Sequence, residues 1–169
     1  YHYEKLPFNN ALSKRIYDSY LRVLDPQRVY FLEDDITEFK RHENLFDDYL
    51  RRSQLSVPFE MYERLVDRME ERFDFVEKLL KEKFDFTIDR EISVKRKDAP
   101  FAKNLAELDD LWRDRIQNEL ISIMIADEER TLEEAKERLS RRYKTRKERL
   151  GQNSAEDVFS IFMNVVAAS

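Results

Sequence analysis

A single glycine, Gly151, and four prolines have to serve a chain of 169 residues. Tight turns between strands draw on glycine for left-handed dihedrals and on proline for preset ones, so a chain this poor in both cannot make the many turns of an all-β fold. Helices are what remains. A chain of this length fits one domain and can bury roughly 70% of the surface that its unfolded form exposes. A core is therefore affordable, and the apolar residues, 41% of the total, recur mostly at helical spacing.

Charge and composition then remove function classes. With 36 acidic and 31 basic side chains the net charge is −5, which supplies no global positive field for nucleic acid or an anionic membrane. Cysteine is absent, and with it disulfides, thiolate metal sites and cysteine nucleophiles; this leaves the compartment open. No apolar run approaches the ~20 residues of a transmembrane helix, and mean hydropathy is −0.76. The chain starts at Tyr1 rather than methionine and stops at Ser169 after an apolar run, as an excised piece would, which leaves room for a signal peptide upstream.

Along the chain, Asn10 is the expected N-cap of a helix carrying Leu12, Ile16, Tyr20, Leu21 and Leu24, ended by Asp25-Pro26. Tyr30-Phe31-Leu32 forms a short apolar link. Asp34 and Asp35 open a second helix through Ile36 and Phe39, read as continuing through Leu45, Phe46, Tyr49 and Leu50. Ser56 is placed to cap a long helix with Pro58 in its first turn and a stripe from Met61 to Leu80. From Phe84 to Val94 the apolar period changes to two, the pattern of an extended arm. Asn104 with Glu107, Thr131 with Glu134 and Ser154 with Asp157 mark three further helix starts, and Gly151 marks the end of the second of these. The expected fold is mainly α: an irregular multi-helix domain of about six helices over residues 1–169, with a short extended arm or hairpin around 84–96. The final helix, with Phe159, Phe162, Val165 and Val166, is apolar around much of its circumference and expects burial on more than one side.

The residues offer no self-contained active site. His2 and His42 are the only histidines, and neither has an evident partner for nucleophilic catalysis. Glu-x-x-His motifs for a carboxylate-bridged metal pair are missing, and a lone glycine excludes phosphate-cradling loops. No cofactor is expected. Paired acids such as Asp109-Asp110 and Glu133-Glu134 read as solvated faces among so many carboxylates. The stretch Arg138, Arg141, Arg142, Lys144, Arg146, Lys147 and Arg149 has a plain explanation in the helix dipole and in i,i+4 pairs Glu134/Arg138 and Glu137/Arg141. Nucleic-acid binding by it is disfavoured, because only Tyr143 among the aromatics interleaves with it.

Three strings carry more information than composition: Asp25 to Phe39 (DPQRVYFLEDDITEF), Asp98 to Arg115 (DAPFAKNLAELDDLWRDR) and Asn153 to Asn164 (NSAEDVFSIFMN). Together they resemble the N-terminal helical domain of the tail-specific, or carboxy-terminal processing, proteases of Gram-negative bacteria. Weaker likeness at Tyr1-His2-Tyr3, Arg72-Phe73, Asp85-Phe86-Thr87 and Arg141-Arg142-Tyr143 extends it over the whole chain. The resemblance implies a periplasmic protein, peripheral to the inner membrane, whose later PDZ and Ser/Lys protease domains are absent from this sequence. It implies protein substrates with apolar C-termini, an adaptor as a further partner, and a supporting role for this domain, with catalytic residues at none of its positions. Phe159, Phe162, Val165 and Val166 are the expected interdomain contact. The alternative is a stand-alone helical interaction module without enzymatic activity.

Overall fold

The structure, a computed structural model, describes residues 7–86, 96 and 98–169. The described residues form seven helices: α1 (Asn10–Leu24), α2 (Glu33–Lys40), α3 (Phe46–Arg51), α4 (Ser56–Leu79), α5 (Leu105–Ala126), α6 (Leu132–Arg149) and α7 (Ala155–Ala168). The mainly α expectation holds. Most of the arm expected around 84–96 lies outside the described residues; at its start Phe84 and Phe86 stack with ring centroids 6.0 Å apart.

Helix ends follow local hydrogen bonding, with two shifts from the sequence reading. The N-cap of α1 is Asn9 rather than Asn10, since Asn9 Oδ1 accepts from the Leu12 N–H at 3.0 Å. Likewise Leu55 precedes α4 and makes no side-chain cap, so Ser56 is its first helical residue. Asn104, Thr131 and Ser154 cap as expected, accepting from the amides of Glu107, Glu134 and Asp157 at 2.9, 3.2 and 3.2 Å. Gly151 follows α6 with φ +75°, a conformation that a Cβ would strain. The expected single helix from Asp34 to Leu50 is two helices, because buried Ser13 pins a turn between them. Its Oγ accepts from Phe46 N–H at 2.8 Å and donates to the Glu43 carbonyl at 2.7 Å.

Two apolar cores result. One holds Phe73, Val76 and Leu79 of α4, Leu108, Trp112, Ile116 and Leu120 of α5, and Ala135, Leu139 and Tyr143 of α6. The other holds Leu12, Ile16, Tyr17 and Tyr20 of α1, Phe39 and Phe46 of α2 and α3, Val57, Met61 and Leu65 of α4, and Phe162 and Val165 of α7. α4, about 36 Å long at the usual helical rise, is thus the beam common to both.

The segment between α1 and α2 is the second connection. Asp25, only 2% exposed, accepts from the backbone N–H groups of Val29, Tyr30 and Phe31 at 2.9, 3.1 and 3.0 Å. Burial pushes its carboxyl above the usual carboxylate range despite the backbone N–H groups that favour its charge. So held, the segment sends Val29 into the first core and Phe31 into the second, while Tyr30 packs against both. Trp112 Nε1 donates to the Val29 carbonyl at 2.8 Å, and Glu33 N–H donates to the Ala102 carbonyl at 2.9 Å beside a parallel bridge between Leu32 and Ala102.

Asp35, 1% exposed, ties α2 to α4. It accepts from Arg64 at 2.7 Å, from two nitrogens of Arg68 at 2.9 Å each, and from the Leu32 N–H at 2.9 Å. Burial works against its charge, but the bonds from Arg68, Leu32 and Arg64 outweigh it and hold the carboxyl below its usual range. A carboxyl lowered on folding adds stability that is present above 3.8, the unperturbed aspartate value, and is lost as pH falls through the folded value. Asp35→Ala, which strands two partly exposed arginines, is expected to lower the unfolding free energy at neutral pH by about 3 kcal/mol. Urea titrations from neutral to acidic pH check both points: wild type loses stability below 3.8, and Asp35→Asn loses less of it.

Candidate functional site

His42 and several of the acids that could serve a site are engaged in structural contacts. His42 sits in the turn between α2 and α3, half-buried, with Nδ1 hydrogen-bonded to the Tyr49 hydroxyl at 2.7 Å. His2 lies outside the described residues. Of the paired acids, Asp109 accepts from buried Arg72 at 2.7 Å and Glu133 lies 3.8 Å from Lys136. Among the described residues no group of three or more His, Asp or Glu side chains converges to hold a metal ion. No helix among them is long and apolar enough to cross a membrane.

The feature that remains is the surface built by α7. Its first turn is locked reciprocally: Asp157 N–H donates to Ser154 Oγ, and Ser154 N–H donates to Asp157 Oδ2 at 2.9 Å. The helix then packs on α1 and α4. Phe162, 1% exposed, meets Tyr20 edge-on, with centroids 5.1 Å apart and planes at 79°. The Tyr20 hydroxyl donates to the Pro58 carbonyl at 2.8 Å, tying α1 to the first turn of α4. Of the four residues expected at an interdomain contact, Phe162 and Val165 therefore face the core of this chain, and Val166 is half-buried. Phe159 points outward, 44% exposed.

Beside it, α7 and the α6–α7 loop form one wall of an open groove of about 390 Å³, and α4 forms the other. Phe59, Tyr62, Val66 and Val158 supply apolar lining, while Glu63 and Asp67 supply negative charge. Asn153 donates to the Tyr62 hydroxyl, bringing the loop onto α4. Phe59 and Tyr62 are off the apolar stripe that starts at Met61, so the sequence pattern gave no reason to single them out. Only the packing of α7 on α4 reveals the groove.

Across residues 1–169 the chain matches the family described as "Tail specific protease N-terminal domain". The chain belongs to this family. A "Tail-specific protease" of Haemophilus influenzae is 29% identical to it over 167 residues, which are 98% of this chain and 24% of that protein. The chain thus spans about a quarter of the length of that curated relative.

Two of the three strings that carry the tail-specific protease likeness fall at the joints between the two cores, and the third seats α7 on one of them. Asp25 to Phe39 contains the Asp25 clamp and the Asp35 ion pairs. Asp98 to Arg115 supplies Ala102 to the bridge and Trp112 to the Val29 carbonyl. Asn153 to Asn164 holds the Ser154 cap and Phe162. The two faces of α7 should separate in unfolding experiments on the 169-residue chain. Phe162→Ala is expected to cost about 3–4 kcal/mol through the cavity it leaves, and Phe159→Ala less than about 1 kcal/mol.

Proposed function

We propose that the chain is the supporting N-terminal domain of a periplasmic carboxy-terminal processing serine endopeptidase. In this reading a PDZ domain that captures apolar C-terminal tails and a protease domain with a Ser/Lys dyad follow in the parent protein. The observation that carries it is the family match along the whole chain, together with a relative named as a tail-specific protease that is about four times as long. The domain's contribution is mechanical. α7, fixed through Phe162 to its own core, presents Phe159 and the flank of Val166 to the neighbouring domain. The acidic-rimmed groove between α4 and the start of α7 is a second surface, which in this reading receives an adaptor or the unfolded substrate.

Two features support a supporting role over a catalytic one. The one described histidine is tied to Tyr49, and the most buried carboxylates are committed to backbone amides or to arginines. Such groups hold a framework rigid.

Proteolysis assays test the reading directly. The full-length parent protein is expected to degrade an unstructured reporter with an apolar C-terminal tail and to spare the same reporter ending in charged residues. The 169-residue piece alone is expected to degrade neither. Hydrolysis by the piece, or a full-length protein indifferent to the tail, would overturn it.

A further inference from the structure

The arginines of α6 form a second open hollow, which shares no lining residue with the α4–α7 groove. Arg138, Arg141, Arg142, Arg146 and Arg149 of α6, with Arg130 from the α5–α6 loop, line an open hollow of about 610 Å³ whose remaining lining residue is Thr145. The sequence offered a bland explanation, i,i+4 pairing with Glu134 and Glu137. The structure closes neither pair. Among the described residues the acidic contacts in this region are Arg130 to Asp127 at 3.4 Å, Lys136 to Glu133 at 3.8 Å and Lys147 to Asp74. Arg146 lies over the Tyr143 ring at 4.9 Å, and Arg138, Arg141, Arg142 and Arg149 take no acidic partner among the described residues. In a chain with five more acidic than basic side chains, unpaired guanidiniums gathered around one hollow are a local reversal of charge.

We infer that this hollow docks an extended acidic segment of a partner protein. Arg138, Arg142 and Arg149, with Thr145 between them, follow one helical face and span about 16 Å at 1.5 Å per residue. An extended peptide covers that length with about five residues, and its alternate side chains repeat at a spacing close to that of successive helical turns. Guanidinium presents a planar pair of donors that matches a carboxylate, whereas lysine would supply only a point charge. Arg130 joins from the α5–α6 loop, so the positive surface extends beyond one helix flank.

The alternatives of the same charge fit less well. A single-stranded nucleic acid calls for exposed aromatics on which bases stack, and Tyr143, the aromatic within this stretch, is 2% exposed. An anionic membrane is met by a face with apolar residues to insert, and the lining here is without an apolar side chain. The inference does not depend on the protease reading.

The test is fluorescence anisotropy of a labelled octapeptide of alternating glutamate and serine titrated with the full-length protein. Binding is expected, weakening as salt is raised. The triple variant Arg138→Glu, Arg142→Glu, Arg149→Glu is expected to lose about ten-fold or more in affinity. Arg15→Glu with Arg22→Glu, a matched reversal on exposed positions of α1, is expected to change it little. Circular dichroism of both variants should match wild type, because the replaced side chains are outside the cores. The inference is overturned by absent binding, by an equal loss in the α1 variant, or by an unaffected triple variant. It is also overturned if a single-stranded oligonucleotide or phosphatidylglycerol vesicles bind the same arginines more tightly than the peptide does.

Discussion

A buried carboxylate holds this structure in register. Asp25 takes three consecutive amide donors at the end of α1, and no helix or sheet would otherwise satisfy them. The link turns through Arg28, whose φ is +55°, and points those amides back at the carboxylate. Val29 enters one core and Phe31 the other, and Tyr30 packs against both. Trp112 reads out the same geometry from the far side through its bond to the Val29 carbonyl. α4 alone joins the two cores along one line and would leave them free to twist about it; the clamped segment is the second attachment that prevents this.

Rigidity of that kind suits a domain that supports others. Asp35, with Arg64 and Arg68, adds a third tie between the clamped segment and α4. α7 is seated on the resulting platform by Phe162, which leaves Phe159 and the α4–α7 groove in a fixed relation to the core. The chain's two recesses have opposite character. One is apolar with acidic residues at its edge, the other is lined by arginines, and they are built from different parts of the chain. A framework presenting separate surfaces of this sort can hold a neighbouring domain on one and a charged partner on the other.

Much of the fold was legible wherever its cause was local. Asn104, Thr131, Ser154 and Gly151 act within four residues of themselves, and each ends or starts a helix where the sequence placed it. Distant causes were not legible. The break between α2 and α3 depends on Ser13, some thirty residues away, and nothing in the periodicity of Asp34 to Leu50 signals it. Tyr30-Phe31-Leu32 reads as an apolar link, but its division between two cores requires knowing what Asp25 holds. At the candidate site, the apolar character of α7 was plain from composition. Which of Phe159, Phe162, Val165 and Val166 faces outward depended on where α1 and α4 lie, and the groove residues Phe59 and Tyr62 emerged only from that packing. The arginine stretch was visible, while its lack of partners depends on rotamers that spacing cannot specify.

Hydrogen exchange under increasing denaturant, followed by mass spectrometry on the 169-residue chain, most directly probes whether Asp25 couples the two cores. In wild type, amides of α1 and α7 should lose protection at the same denaturant concentration as those of α5 and α6. In Asp25→Ala the α1 and α7 amides should open first, with α5 and α6 retaining protection. Equal weakening of both groups, or separate opening already in wild type, would contradict a clamp that makes two cores behave as one.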